Sequence, residues 1–128
     1  MNLEKLVADR ELCERIPADD FLDAAFCWHY TEVAGFVCRT SGCEQFSGKQ
    51  WQLERSTSGK IVRYRQRGEQ IFPAPMLEEV MAAMPYCRVY KKTTGFYVAV
   101  KEQYRVPSLS GSTAALKLWL NLKGVKNG

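Results

Sequence analysis

Five cysteines and a single histidine are the residues of this chain whose chemistry could include metal binding. Thiolate and imidazole groups are the usual ligands of tetrahedral Zn²⁺ sites. Cys27 and His29 lie two positions apart on a β-prone segment, so they would share one face of a strand. A hairpin that pairs Thr31 with Phe36 would place His29 opposite Cys38. The spacing therefore permits a zinc site, although no C-x-x-C pair supports it, and its ligands would be Cys27, His29, Cys38 and Cys43.

The simpler interpretation of these residues is a set of buried thiols beside a histidine with no special role, since most free cysteines behave as small hydrophobic residues. Nucleophilic cysteine catalysis would need a base near the thiol, and His29 would have to activate Cys27. No nucleophile motif surrounds any cysteine, and neither G-x-x-x-x-G-K-[ST] nor G-x-G-x-x-G occurs. The sequence therefore predicts no catalytic residue and no cofactor, with a zinc- or cysteine-dependent enzyme as the second alternative.

Basic side chains alternate along residues 60–67, which is the strongest indication of binding in the chain. In an extended strand Arg63, Arg65 and Arg67 share one face, and arginines aligned in this way can contact phosphates. Three residues would extend this surface: Arg88, Lys91 and Lys92. The same pattern suits a solvent-facing sheet in which charges keep edge strands from pairing. A pI near 8.8 is modest for a dedicated nucleic-acid-binding domain, so nucleic acid is the first alternative partner.

The length of 128 residues and the hydrophobic fraction of 46% indicate a single packed domain over residues 1–128. The first fifteen residues are too charged for a signal peptide, and the apolar runs are too short to span a bilayer. We therefore expect a cytoplasmic protein with reduced cysteines and no membrane partner.

Charge is distributed unevenly along the chain. Residues 1–32 hold eight acidic and three basic residues, whereas residues 33–128 hold six acidic and fifteen basic residues. The basic part could meet a polyanion, the acidic segment of the same chain, or that of a second copy. The modest net charge of +4 favours the acidic segment, of this chain or of a second copy, over a polyanion. An unknown protein partner or self-association is the main expectation.

Three pairs of β-prone segments, each joined by turn-forming residues, predict three hairpins. The pairs are residues 24–31 with 36–39, 50–55 with 60–66, and 86–91 with 96–103. Two proline-containing segments interrupt this pattern. Prolines at 73 and 75 exclude residues 72–75 from a central strand, and residues 107–111 are predicted to form a loop.

Helices are predicted in three places. Residues 2–16 are rich in helix formers but irregular in apolar spacing, so we expect two short helices or one with a break near Asp9. From Leu77, apolar residues at i, i+3, i+4 and i+7 form the clearest helical stripe. Ser112 is expected to cap a last helix over residues 113–123, whose wide apolar arc implies packing on a sheet or contact with a partner.

Three segments together resemble a group of short proteins encoded by bacteriophages and related mobile elements of gut bacteria. They are residues 11–17 (Glu-Leu-Cys-Glu-Arg-Ile-Pro) ahead of a strand with Trp28, residues 72–79 (Phe-Pro-Ala-Pro-Met-Leu-Glu-Glu), and residues 114–120 (Ala-Ala-Leu-Lys-Leu-Trp-Leu). Met76 stands where those proteins usually carry Thr, which removes a capping hydroxyl. The resemblance implies no activity, cofactor or site; it favours a small accessory or interaction protein over a housekeeping enzyme.

We therefore predict an α+β fold in which an antiparallel sheet of about three hairpins carries helices packed on one face. The predicted core contains Phe26, Trp28, Leu77, Val80, Met81, Met84, Val98, Val100, Leu116, Trp119 and Leu120. The predicted function is a non-catalytic binding or interaction module of phage or mobile-element type.

Overall fold

The structure is a computed structural model that describes residues 3–17, 20–21, 23–40, 52–55, 61–64 and 70–124. For residues 52–55, 61–64 and 70 it describes the backbone. The elements, in chain order, are a 3₁₀ turn at Leu3–Lys5, α1 (Arg10–Cys13), β1 (Phe26–Thr31), β2 (Gly35–Thr40), β3 (Gln52–Arg55), β4 (Ile61–Tyr64), β5 (Gln70–Pro73), α2 (Leu77–Ala82), β6 (Arg88–Lys91), β7 (Tyr97–Lys101), β8 (Tyr104–Ser108) and α3 (Gly111–Leu122).

The strands form two antiparallel sheets, with the orders β2-β1-β5-β4-β3 and β6-β7-β8. The α+β class and the three predicted hairpins, β1–β2, β3–β4 and β6–β7, are confirmed. The expectation that the hairpins join into one sheet is wrong. The β5 strand joins the first two hairpins into the five-stranded sheet, and β8 adds an edge strand to the third hairpin. The prolines of β5 and β8 concealed both strands in the sequence.

The β5 strand lies between β1 and β4 and ends at Pro73, so the exclusion of residues 72–75 from a central strand is wrong for Phe72 and Pro73. The backbone N–H of Ala74 donates to the Phe26 carbonyl at 3.0 Å. Hydrogen-bonded positions alternate along an antiparallel pair, so the backbone nitrogen of Pro73 points away from β1. On the edge of β5 away from β1, the pairing with β4 is at Gln70, three residues before Pro73. The N–H that Pro73 lacks therefore costs the sheet no hydrogen bond.

The predicted loop over residues 107–111 is also only partly correct, because its first two residues belong to β8. This strand lies at the edge of the three-stranded sheet, where proline is tolerated. The last helix then begins at Gly111, two residues earlier than expected. Its cap is Ser110 and not Ser112, since the Ser110 Oγ accepts the Thr113 N–H at 3.1 Å.

The N-terminal helical segment breaks where the sequence predicts, with Asp9 at the start of α1. Ahead of α2, the Met76 N–H donates to Glu79 Oε1 at 2.7 Å. The other oxygen of Glu79 accepts the Ala25 N–H at 3.0 Å. Glu79 therefore caps α2 in the absence of a hydroxyl at position 76 and ties this helix to the start of β1.

The α3 helix is the centre of the core. It packs on α2 and on all three strands of the three-stranded sheet. Its Leu116, Leu118 and Leu120 are fully buried, and the Trp119 ring lies 4.8 Å from that of Phe21. The same cluster includes side chains of the five-stranded sheet: Trp28, Cys38 and Phe72. The wide apolar arc of α3 is thus covered by the protein's own chain.

Most of the predicted core is confirmed. The buried members are Trp28, Val80, Met84, Val98, Leu116, Trp119 and Leu120, and the half-buried members are Phe26, Leu77, Met81 and Val100. Among the described residues, every helix is too short or too polar to cross a lipid bilayer.

Candidate functional site

The register of the β1–β2 hairpin differs by one residue from the predicted one. Gly35, and not Phe36, pairs with Thr31, so Cys38 lies opposite Trp28. Gly35 has a φ of +69°, the left-handed conformation that ends short hairpin loops. Because successive residues of a strand face opposite sides, this shift moves Cys38 to the sheet face opposite His29.

The predicted convergence of Cys27, His29 and Cys38 on a metal is therefore wrong. Cys27 and His29 share one face, as expected, but Cys38 points into the core on the other face. Cys43 lies outside the described residues. Within the described part of the chain, no group of three or more His, Cys, Asp or Glu side chains could hold a metal ion.

Three thiols have raised pKa values because they are buried. Burial raises the pKa of the Cys38 thiol to about 11, and it also raises the pKa of Cys13 and of Cys87. These three groups are protonated at neutral pH and are poor nucleophiles. Nearby, His29 Nδ1 accepts the Arg39 Nε–H at 3.0 Å.

Of the six basic residues that the sequence indicates, the four that the structure describes are divided between the two sheets. Arg65 and Arg67 lie outside the described residues. Arg63 lies on β4 opposite Leu53, in the five-stranded sheet. The others belong to the β6–β7 hairpin of the three-stranded sheet: Arg88, Lys91 and Lys92.

The three-stranded sheet has one face against α3 and one face toward solvent. Alternation and strand register assign four residues to the inner face, where they contact the core: Val89, Tyr97, Ala99 and Val106. Pairing continues past β7, since the Lys92 N–H donates to the Phe96 carbonyl at 2.6 Å. The other face, called the outer face below, comprises Arg88, Tyr90, Phe96, Val98, Val100, Arg105 and Pro107.

A hydrogen bond across β7 organises the outer face. Arg105 on β8 donates from Nη2 to the Tyr90 hydroxyl on β6 at 2.6 Å. Between these strands Val98 is only 2% exposed, flanked by Tyr90 on one side and Pro107 on the other. The bond therefore holds a guanidinium and a phenol ring in fixed positions above a small apolar patch.

The outer face is basic and carries exposed aromatic rings. Two of its seven residues, Arg88 and Arg105, are basic, and none is acidic. Arg88 and Arg105 are exposed, and neither forms an ion pair within the described residues. Phe96 is 46% exposed and Tyr90 is 37% exposed. Guanidinium groups can bind phosphates bidentately, and exposed rings on a flat sheet can stack on nucleic-acid bases.

Sequence reasoning found Arg88 but missed its partners on this face, Tyr90, Phe96 and Arg105. A signal for Arg105 was present, because Tyr104-Arg105-Val106 alternates as a strand with one buried side does. Pro107 concealed it by resembling the start of a loop.

Comparison of the chain with profiles of protein families, with curated proteins and with solved structures gives no match. The outer face is thus the functional candidate that the chain's own geometry supports.

Proposed function

We propose that the protein is a non-catalytic binding module that contacts single-stranded nucleic acid through its outer face. In this proposal Arg88 and Arg105 bind phosphates, while Tyr90 and Phe96 stack on bases. The observation that carries the proposal is the Arg105–Tyr90 hydrogen bond, which fixes a guanidinium beside an exposed ring on a solvent-facing sheet. A mobile-element origin, which three sequence segments indicate, stays a prediction.

A single strand suits this surface better than a duplex. Bases in a duplex present only their edges, whereas those of a single strand can lie flat on aromatic side chains. The outer face belongs to a short antiparallel sheet and carries two partly exposed rings, Tyr90 and Phe96. It therefore presents a platform with flanking charges.

A protein partner, or the acidic N-terminal segment of a second copy, is the competing explanation of the positive charge. Carboxylates would satisfy Arg88 and Arg105, but they would leave the exposed Tyr90 and Phe96 rings unused. Aromatic rings beside arginines suit a ligand that combines phosphates with flat bases. This combination favours nucleic acid over an acidic protein segment.

The test is a salt-titrated binding measurement. Fluorescence anisotropy of a labelled oligothymidine of about 15 nucleotides is followed between about 50 and 200 mM salt. With two phosphates neutralised, the logarithm of the affinity should fall with the logarithm of the salt concentration at a slope of about −1.4. Absence of binding at the lowest salt concentration would refute the proposal. Binding of an acidic polypeptide with equal affinity would indicate charge attraction without base stacking.

A further inference from the structure

The chain passes from α2 to β6 through a tight turn whose residues are Met84, Pro85, Tyr86 and Cys87. The Cys87 N–H donates to the Met84 carbonyl at 3.2 Å and closes the turn. Tyr86, at the third position, has a φ of +68°. Proline at the second position and a positive φ at the third are features of a type II turn, where Gly or Asn is the usual third residue. Tyrosine is therefore not the residue that this backbone conformation favours.

The core does not explain the Tyr86 ring either. Tyr86 is 94% exposed, the highest value of any aromatic residue in the described part of the chain. Its ring thus keeps apolar surface in contact with water, where burial gives no stabilisation. A bulky residue in the left-handed conformation is also uncommon and strained, and such residues concentrate at functional sites. Neither the turn nor the packing of the core accounts for a tyrosine at this position.

Lys101, at the end of β7, holds both the turn and the ring in place. Its Nζ donates to the Pro85 carbonyl and lies 5.7 Å from the centre of the Tyr86 ring. A cation–π contact at an exposed site stabilises a fold only weakly. Its stronger consequence is that the ring is positioned before a ligand arrives, because less conformational entropy is then lost on binding.

Tyr86 lies at the end of the sheet where the outer face carries its arginines. Strand register aligns Arg88, Val100 and Arg105 in one row across the three strands. Tyr86 precedes Arg88 by two residues, so their Cα atoms are at most about 7 Å apart. Tyr90 follows Arg88 by two residues along β6. An exposed ring therefore lies two residues from Arg88 in each direction.

We propose that Tyr86 is a further binding residue for single-stranded nucleic acid, on which a base stacks beyond the phosphate at Arg88. The inference rests on the proposed function and extends the site past the outer face. A strand that follows β6 places one base on Tyr90, a phosphate on Arg88 and the next base on Tyr86. Stacking on a ring is available to every base, so this position accepts any sequence.

The test replaces Tyr86 with Asn, which removes the ring and suits the left-handed conformation. Tyr86→Asn should weaken binding of the labelled oligothymidine at least about fivefold, the lower value for loss of stacking on one base. The salt slope should not change, because the ring contacts no phosphate. In urea denaturation Tyr86→Asn should be at least as stable as the wild type, since backbone strain is relieved. Tyr86→Phe, which restores the ring, should recover the affinity.

Glu102→Asp is the matched control. Glu102 also has a positive φ, of +56°, in the turn between β7 and β8, and Asp tolerates this conformation and keeps the charge. It should bind as the wild type does, and an equal loss there would overturn the inference. Unchanged affinity, lower stability or a changed salt slope in Tyr86→Asn would overturn it as well. In each of these cases, binding by the wild-type protein leaves the proposed function standing; absence of that binding refutes both.

Discussion

Trp28 and Cys38 of the β1–β2 hairpin point into the core, whereas Arg88 and Tyr90 of the β6–β7 hairpin face solvent. Both hairpins are antiparallel and short, and both carry residues with distinctive chemistry. The difference lies in their surroundings. The β1 strand has neighbours on both edges and contributes to the common core, while the three-stranded sheet is covered by α3 on one face.

This contrast separates residues that stabilise the fold from residues that are free to bind. Thiols with raised pKa values, buried next to Trp28, act as small apolar side chains. Arg88, Phe96 and Arg105 are exposed on the outer face, because α3 packs against the opposite face of this sheet. The following predictions test this division between the two hairpins.

The largest effect is expected for Trp28→Ala, which removes a side chain that is only 6% exposed. The transfer and cavity costs together should lower the free energy of unfolding by about 3–5 kcal/mol. Urea denaturation followed by far-ultraviolet circular dichroism measures the change. Phe96→Ala on the outer face is the control and should cost less than about 1 kcal/mol. Similar losses for both variants would contradict the division.

Replacing Arg88 and Arg105 together with Gln should weaken binding of oligothymidine at least tenfold, an order of magnitude based on two charged contacts. The salt slope should decrease in magnitude by about 1.4, because two phosphate contacts are lost. Arg39→Gln in the β1–β2 hairpin removes one charge at an arginine that donates to His29, and it should leave affinity unchanged, whereas Arg88→Gln or Arg105→Gln alone should weaken it. An equal loss in both variants would indicate a general charge effect.

The parts of the fold that can be predicted from the sequence are those that depend on local patterns. Alternation and turn residues predict each hairpin because both depend on residues close in sequence. Pro73 and Pro107 are tolerated in β5 and β8 because no neighbouring strand needs a hydrogen bond from their nitrogen atoms. Which strands lie beside them is a property of the tertiary fold and not of the local sequence. The β5 strand joins the first two hairpins into one sheet, whereas β8 extends the third.

The candidate site is less predictable than the fold, because its composition depends on register. One left-handed residue, Gly35, moves Cys38 away from His29 and removes the predicted metal site. Conversely, Arg105 and Tyr90 lie fifteen residues apart and meet only when β6, β7 and β8 align. Neither outcome follows from spacing along the chain.

Tyr90→Phe isolates the hydrogen bond that organises the outer face. It keeps the ring for stacking but removes the acceptor of the Arg105 bond. Loss of one such bond should weaken oligothymidine binding by about threefold, within the range of a single hydrogen bond. Tyr90→Ala should weaken it further, because the stacking surface is lost as well. Wild-type affinity in Tyr90→Phe would show that Arg105 needs no positioning.

The last prediction concerns pH and the buried thiol of Cys38. The Cys38 pKa is raised from about 9 to about 11 in the folded protein, so folding favours the protonated thiol. Its contribution to stability is complete below about pH 9 and is lost as the pH rises toward 11. Cys38→Ala should therefore show a shallower fall of unfolding free energy over this range than the wild type. Parallel curves would contradict burial of this thiol.

The most direct test of the account is to map the binding surface by NMR, following backbone amide shifts while oligothymidine is added to the isotope-labelled protein. We expect the shifts to concentrate at Arg88, Tyr90, Val98 and Arg105, with those of Cys27, Trp28 and Cys38 unchanged. Shifts centred on the β1–β2 hairpin, or no shifts at low salt concentration, would contradict it.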